Sequence, residues 1–303
     1  MVTIMEIIFL GTSSAVHSKE RNHPSIALKA FGEIFLFDCG EATQRQLLHT
    51  TVSPMKISKI FITHYHGDHI LGLPGLLQSM SLNGREAKLT IYGPKGLDKI
   101  KKAIYSLGYC AIDYPVEFIE IDSGTIVDND EYFIQAQRVK HNVPSLAYSI
   151  EEKKKPRFLR EKAIELGVPV GPDFGRLHNG IEVEINGKII KPEQVLGPAR
   201  KGRKITYSGD TKLCEEMIML ARDSTLLIHE STFTKEHQMN AEEYAHSTSV
   251  DAGFIAKESN SEKLVLTHIS TRYGDEYAEI MLKEACEVFE NTCLAHDFME
   301  IKL

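Results

Sequence analysis

Thr63-His64-Tyr65-His66-Gly67-Asp68-His69 places three imidazoles and one carboxylate within six positions, directly after the apolar run Ile60-Phe61-Ile62. A lone histidine beside apolar residues is ordinarily a satisfied core or surface group. Three of them with an aspartate form a ligand set, because neutral imidazoles and a carboxylate suit zinc, iron or manganese. A strand ending at Thr63 throws alternate side chains to one side, so the spacing predicts that His64 and His66 share one metal. Asp68 and His69 follow where the chain turns into a helix, and can face a second metal.

Upstream of this stretch, strands are predicted over 4–10, 25–30 and 34–37, with Phe31-Gly32-Glu33 as a turn and a helix over 41–49. Downstream, a helix over 68–80 is interrupted by Pro74, and strand 88–92 with helix 95–107 repeats the βα alternation. A β section follows over 116–121, 125–127, 132–139 and 147–150, with His141 just past the third strand. Strand 205–207 runs into Ser208-Gly209-Asp210-Thr211, strand 225–228 into His229-Glu230-Ser231-Thr232, and strand 264–266 into Thr267-His268. Ala245-His246-Ser247-Thr248 opens a helix, with Ser247 or Thr248 near its cap. A last helix covers 274–289 and a closing strand 297–301. Two βαβ-rich portions flanking a β section are compatible with a two-sheet α/β sandwich covered by helices. Asp38, His64, His141, Asp210, Glu230 and His268 then gather along one rim, where a site is expected.

The 303 residues are 42% hydrophobic and 25% charged, the composition of an ordinary soluble globular protein. No apolar run is long enough to span a membrane, and residues 1–6 read as the start of a strand rather than a signal peptide. A cytoplasmic protein without a membrane partner is expected. Five cysteines, an odd number without a CxxC pair, argue against a disulfide framework and against a thiolate zinc site. The net charge of −7 disfavours a polyanionic partner unless positive charge is local. It is local: Lys153-Lys154-Lys155, Arg157, Arg160 and Lys162 precede a Gly/Pro-rich run over 167–175, and Arg200-Lys201-Gly202-Arg203-Lys204 forms a second cluster. Such a composition predicts an irregular protruding arm over 151–195, inserted into a single domain of residues 1–303.

Together, the HxHxDH motif, the isolated His141, Asp210 in Ser-Gly-Asp-Thr and His268 in Leu-Thr-His resemble the metallo-β-lactamase-fold hydrolases in order and strand-end context. Within them the chain is similar to the ribonuclease Z family of tRNA 3′-processing endonucleases. Residues 37–44 resemble that family's first acidic motif, His229-Glu230-Ser231-Thr232 its His-Glu-Ala-Thr segment, and His246-Ser247-Thr248 its His-Ser-Thr segment. Gly171-Pro172 falls where the family's flexible arm carries a Gly-Pro pair. The family's Pro-x-Lys-x-Arg-Asn loop appears as His17-Ser18-Lys19-Glu20-Arg21-Asn22, with His17 in place of the proline.

The resemblance implies an αββα sandwich with an exosite arm that grips the tRNA elbow from the other subunit of a homodimer, and precursor tRNA as substrate. It assigns His64, His66 and His141 to one Zn2+, Asp68, His69 and His268 to a second, and Asp210 to a bridge. Two metals roughly 3.5 to 4 Å apart can clamp both oxygens of an in-line displacement at phosphorus. Cleavage that leaves a tRNA 3′-hydroxyl must protonate a poor alkoxide leaving group, a task suited to an imidazole. His246 is expected to be this general acid, with Glu230 orienting it and raising its pKa, while Asp68 doubles as ligand and acceptor of the nucleophile's proton. Arg272, Ser270 and Tyr273, just past a ligand, are expected to contact phosphate. Lys19, Arg21, Gln44, Arg45, Gly171 and Pro172 complete the expected substrate contacts. A small-molecule hydrolase such as a thioesterase, lactonase or cyclic-nucleotide phosphodiesterase has no evident use for the basic arm or the His246/Glu230 pair. A non-catalytic RNA-binding scaffold predicts eroded ligands, whereas the whole set is present.

Overall fold

The computed structural model describes residues 4–109, 111–272 and 275–303. Its strands are β1 (Glu6–Gly11), β2 (Ser25–Ala30), β3 (Glu33–Phe37), β4 (Ile57–Phe61), β5 (Leu89–Gly93), β6 (Val116–Glu120), β7 (Gly124–Asp128), β8 (Tyr132–Val139), β9 (Ser145–Glu152), β10 (Val183–Ile185), β11 (Lys188–Ile190), β12 (Lys204–Tyr207), β13 (Leu226–Glu230), β14 (Leu264–Thr267), β15 (Thr292–Leu294) and β16 (Glu300–Lys302). One sheet runs β16-β1-β2-β3-β4-β5-β6 and the other β15-β14-β13-β12-β9-β8-β7. β1, β12, β13 and β14 are buried at nearly every position rather than at alternate ones, because each is covered on both faces.

On the first sheet, helix Leu73–Leu82 packs Leu73, Leu76, Leu77 and Met80 against Ile8, Leu10, Leu36, Ile60 and Ile62. On the second, Met217, Ala252, Ile255 and Ala285 bring helices Glu215–Ala221, Ser249–Glu258 and Asp275–Val288 onto Leu227, Leu264 and Leu266. Between the sheets lie aromatic rings: Phe61 and Tyr148 have centroids 5.4 Å apart, Phe37 and Tyr207 6.0 Å. The layers are those of the metallo-β-lactamase αββα sandwich. β3 to β6 are mutually parallel, as are β12 to β15. Loops leaving the carboxyl ends of parallel strands are where α/β sheets place ligands.

The helix predicted over 68–80 is two helices, Gly67–Ile70 and Leu73–Leu82. The break falls at Leu71-Gly72, and Pro74 sits harmlessly in the first turn of the second helix. Gly72 is needed there: its N–H donates to the Cys39 carbonyl at 3.0 Å, and a Cβ would lie 1.9 Å from the Gly40 oxygen. The helix predicted over 41–49 shrinks to Thr43–Leu47. β15, three residues long, carries too little alternation to be predicted.

These sheets and helices belong to one compact unit. A second unit comprises Asn129–Tyr132 and Glu151–Arg203, and is more ordered than its composition predicts. Ala163, Val168, Leu177, Val183, Ile190 and Val195 form its own core. Around them stand helices Arg160–Glu165 and Pro172–His178 and the β10-β11 hairpin. That hairpin closes through Asn186-Gly187, both at positive φ (51° and 76°), the conformation a two-residue turn requires.

Candidate active site

A buried carboxylate, Asp38, organises the site from beneath. It follows β3 at φ 56° and is 0% exposed. It accepts hydrogen bonds from the Thr63 N–H (2.8 Å), the Thr63 hydroxyl (3.0 Å), His69 Nδ1 (2.8 Å) and the Tyr207 hydroxyl (2.9 Å). The chain from Ile62 to His64 is held extended by Ile62 N–H to the Tyr92 carbonyl and by Leu146 N–H to the Thr63 carbonyl. His66 then stands at the N-terminal boundary of helix Gly67–Ile70, which turns Asp68 and His69 back toward the rim.

The expected ligands converge in two groups. His64 Nε2 stands 3.0 Å from His66 Nδ1, which stands 3.3 Å from His141 Nε2. In the second group His69 Nε2 lies 3.3 Å from His268 Nε2, and each is 3.5 Å from Asp68 Oδ2. Asp210 joins them: its Oδ2 is 3.5 Å from His64 Nε2 and 3.4 Å from His69 Nε2, and its Oδ1 is 3.3 Å from His268 Nε2. A tetrahedral shell with ligands at ~2.0–2.1 Å spaces them by about 3.3 Å.

Tautomers test whether the residues fit cations. His141 Nδ1 donates to the Ala245 carbonyl at 2.8 Å, and His69 Nδ1 to Asp38, so both Nε2 atoms present lone pairs. The Thr63 hydroxyl donates to Asp38, hence accepts from His64 Nδ1 at 3.0 Å and leaves His64 Nε2 bare. The same logic holds for His268: the Thr232 hydroxyl donates to Glu230 Oε2 at 2.5 Å and accepts from His268 Nδ1 at 2.9 Å. Asp210 is 2% exposed and its Oδ1 has no hydrogen-bond partner. Bare nitrogens facing one another around a buried carboxylate require positive charge between them.

Electrostatics agree. Burial drives the His64 pKa well below 6.5, with nearby His69 adding to it, which keeps the ring a neutral ligand. For His69 burial opposes the charged form, yet Asp210, Asp38 and Asp68 outweigh it and raise the pKa well above 6.5. Carboxylates that favour a proton there favour a metal cation equally. The donor set, nitrogen and carboxylate oxygen without thiolate, suits divalent ions.

Next to the second group, His246 Nδ1 lies 2.9 Å from Glu230 Oε1 and 4.0 Å from Asp210 Oδ2. Glu230 closes β13 at 1% exposure and also accepts from the Thr211 N–H. Burial lowers the His246 pKa, but the Glu230 carboxylate outweighs it and brings it up to about 9. Thr248, two residues on, caps helix Ser249–Glu258 in a reciprocal box with Asp251.

A cavity of about 670 Å³ opens over these groups and is lined by Asp68, His246, Ser270 and Arg272, with Leu71 and Tyr244 as apolar wall. Of the expected substrate contacts, Ser270 and Arg272 are therefore at the site. Lys19, Gln44 and Arg45 are exposed but do not line this cavity. Arg21 also stays outside it, its guanidinium donating to Thr12 and to the Ala295 carbonyl. Gly171 and Pro172 are exposed in the second unit, where Pro172 opens a helix. Tyr273 lies outside the described residues. Thr63 and Thr232, which hydrogen-bond His64 and His268, and Tyr207, which bonds Asp38, escape a reading of the sequence; the one signal for Thr232 is its place two residues after Glu230.

Residues 5–105 match the family model described as anti-Pycsar protein Apyc1, and residues 181–269 the one described as a beta-lactamase superfamily domain. Ribonuclease Z of Methanothermobacter thermautotrophicus is 51% identical over 300 residues, covering 99% of this chain and 97% of its own. Ribonuclease Z of Bacillus cereus is 47% identical over 300 residues, covering 97% of each. The crystal structure of human tRNase Z, short form, superposes with a TM-score of 0.70 at 28% identity over 98% of both chains. The metallo-beta-lactamase fold protein YhfI from Bacillus subtilis gives 0.72 at 19% identity over 99% of this chain and 100% of its own, a likeness of fold. With half its residues identical to a relative over almost the whole length, this chain belongs to the ribonuclease Z family.

Proposed function

We propose that this chain is a zinc-dependent endoribonuclease that cuts precursor tRNA 3′ of the discriminator base, leaving a tRNA 3′-hydroxyl and a 5′-phosphorylated trailer. The observation that carries this reading is the His246–Glu230 pair standing beside a complete two-group ligand set, in a family whose members are named ribonuclease Z. In this reading His64, His66 and His141 hold one zinc, Asp68, His69 and His268 the other, and Asp210 bridges. When bound, the two ions supply Lewis-acid stabilisation of charge on the phosphodiester and a nucleophilic water at neutral pH.

The chain's own residues do the rest. Burial works against the Asp68 carboxylate, but His69 and His268 outweigh it and keep it ionised, the form that holds a cation; as acceptor of the nucleophile's proton it acts from its place on the cavity wall. His246 gives its Nδ1–H to Glu230, so the proton on Nε2 is the one available to the departing 3′-oxygen. Ser270 and Arg272 position the phosphate from the cavity wall. Tyr244, 43% exposed, and Leu71 offer a flat apolar surface to the neighbouring base.

The second unit is read as the RNA grip. Residues 151–203 carry twelve Lys and Arg against eight Asp and Glu, a surplus of four in a chain of net −7. In a homodimer each copy lends this unit to its partner's substrate. A protein that works on tRNA precursors is read as cytoplasmic; among the described residues no helix is long and apolar enough to cross a membrane. Incubating the protein and Zn2+ with an end-labelled precursor tRNA tests the reading. A single metal-dependent cut after the discriminator base is expected; an uncut precursor, or a cut elsewhere, rejects it.

A further inference from the structure

Another group of histidines lies at the rim of the cavity and belongs to neither ligand group. His17 Nδ1 and His23 Nε2 stand 3.2 Å apart, and Glu41 completes three donor atoms that lie within 4.8 Å of one another. His23 is 6% exposed and lines the cavity, whereas His17 and Glu41 face solvent. Three chain segments are drawn together to make this set. Ser18 N–H donates to the Arg21 carbonyl at 2.8 Å and folds the loop so that its two ends meet. Asn22 Nδ2 donates to the Glu41 carbonyl at 2.8 Å, and Gly40 N–H to that of Pro24 at 3.1 Å, which brings Glu41 alongside.

The chemistry of the set is that of a cation site. Burial lowers the His23 pKa and keeps its ring neutral, with a lone pair to offer. The 3.2 Å separation equals, within a tenth of an ångström or so, the ~3.3 Å ligand spacing of a tetrahedral shell. A hydrogen bond between the two imidazoles accounts for that distance but does not engage the Glu41 carboxylate. A divalent ion accounts for both. Two imidazoles and one carboxylate suit zinc and its borderline neighbours.

We propose that His17, His23 and Glu41 form a third divalent-metal site, separate from the two ligand groups already described. With two of its three ligands exposed, it leaves positions open to water and binds more weakly than the buried set. Occupied, it ties both ends of the loop over 17–22 to the chain after β3. That fastens the neighbouring cavity wall, where Ala15 holds a φ of 23° that side-chain-bearing residues seldom adopt. The inference does not depend on which phosphodiester is cut.

Equilibrium dialysis of the metal-free full-length chain against Zn2+, read with native mass spectrometry, tests it. The wild type is expected to bind three ions and His17→Ala only two, while Glu41→Gln binds the third at least tenfold more weakly. Retention of two ions in each variant reports that the fold and the other ligands are intact. Saturation of the wild type at two ions, or a third ion bound with unchanged affinity in either variant, overturns the proposal.

Discussion

The hydroxyl of Thr232 stands 2.9 Å from Nδ1 of His268, and through that one oxygen the His246–Glu230 pair is joined to the second group of candidate ligands. Removing the hydroxyl frees the His268 tautomer and leaves Glu230 short of a donor. Thr232→Val is expected to lower metal affinity or turnover by about 10–100-fold, the usual effect of removing a group that orients a ligand. Thr232→Ser, which keeps the oxygen, restores most of it. Metal titration and kcat for the two variants check this; a Thr232→Ser variant impaired as much as or more than Thr232→Val shows that the hydroxyl is not what matters.

The His246–Glu230 pair sets the pH dependence. An acid whose pKa is raised from 6.5 to about 9 stays protonated through neutrality and loses its proton as pH rises through about 9. The pair's contribution to stability has the same sign, full below 6.5 and lost through about 9. Turnover of precursor tRNA should therefore show an alkaline limb, and Glu230→Gln should move that limb to lower pH. His246→Ala should lower kcat by roughly 10²–10⁴-fold with metal content unchanged. A limb that Glu230→Gln leaves in place rules this assignment out.

If cations fill the buried ring of donors, Asp210 at 2% exposure among them, chelation takes their positive charge away. Dialysis against a chelator should abolish turnover and lower the thermal midpoint, and added Zn2+ should restore both. At a hundredfold excess over its dissociation constant, a bound ion adds about 2.7 kcal/mol. Scanning calorimetry of the two forms measures the difference, and an unchanged midpoint contradicts the charge argument.

Arg157, Arg160 and Lys162 are exposed in the second unit. Replacing all three by Ala should raise KM for precursor tRNA and flatten its salt dependence, by roughly 0.7–0.9 in log–log slope for each phosphate no longer neutralised. Hydrolysis of bis(p-nitrophenyl) phosphate should be unaffected, because none of the three lines the cavity. An unaltered tRNA salt slope removes the RNA role from this surface.

How much can be seen in the sequence depends on how local the signal is. His64, His66, Asp68 and His69 announce themselves because six positions hold four candidate donors. His141, Asp210 and His268 can be found only as polar residues at strand ends, which is a rule about sheets rather than about neighbours. Thr63, Thr232 and Tyr207 are illegible: hydroxyl residues are common, and only register and sheet packing decide which one meets a carboxylate. The second unit misleads by composition. Six apolar core residues are dispersed among glycines, prolines and lysines, and Asn186-Gly187, a hairpin signal, is submerged in a stretch that reads as irregular.

Asp38 carries a consequence for biosynthesis. Its partners Thr63 and His69 lie nearby in the chain, but Tyr207 is 169 positions away, and His69 meets His268 across 199. Contacts of such separation form late and slowly, after loop closure has been met elsewhere. During translation from the amino terminus, the HxHxDH stretch emerges long before Asp210 and His268, and cannot enclose an ion alone. Closing the ring of donors therefore waits for residue 268: a chain cut short before it carries the motif without the imidazole that completes the second group.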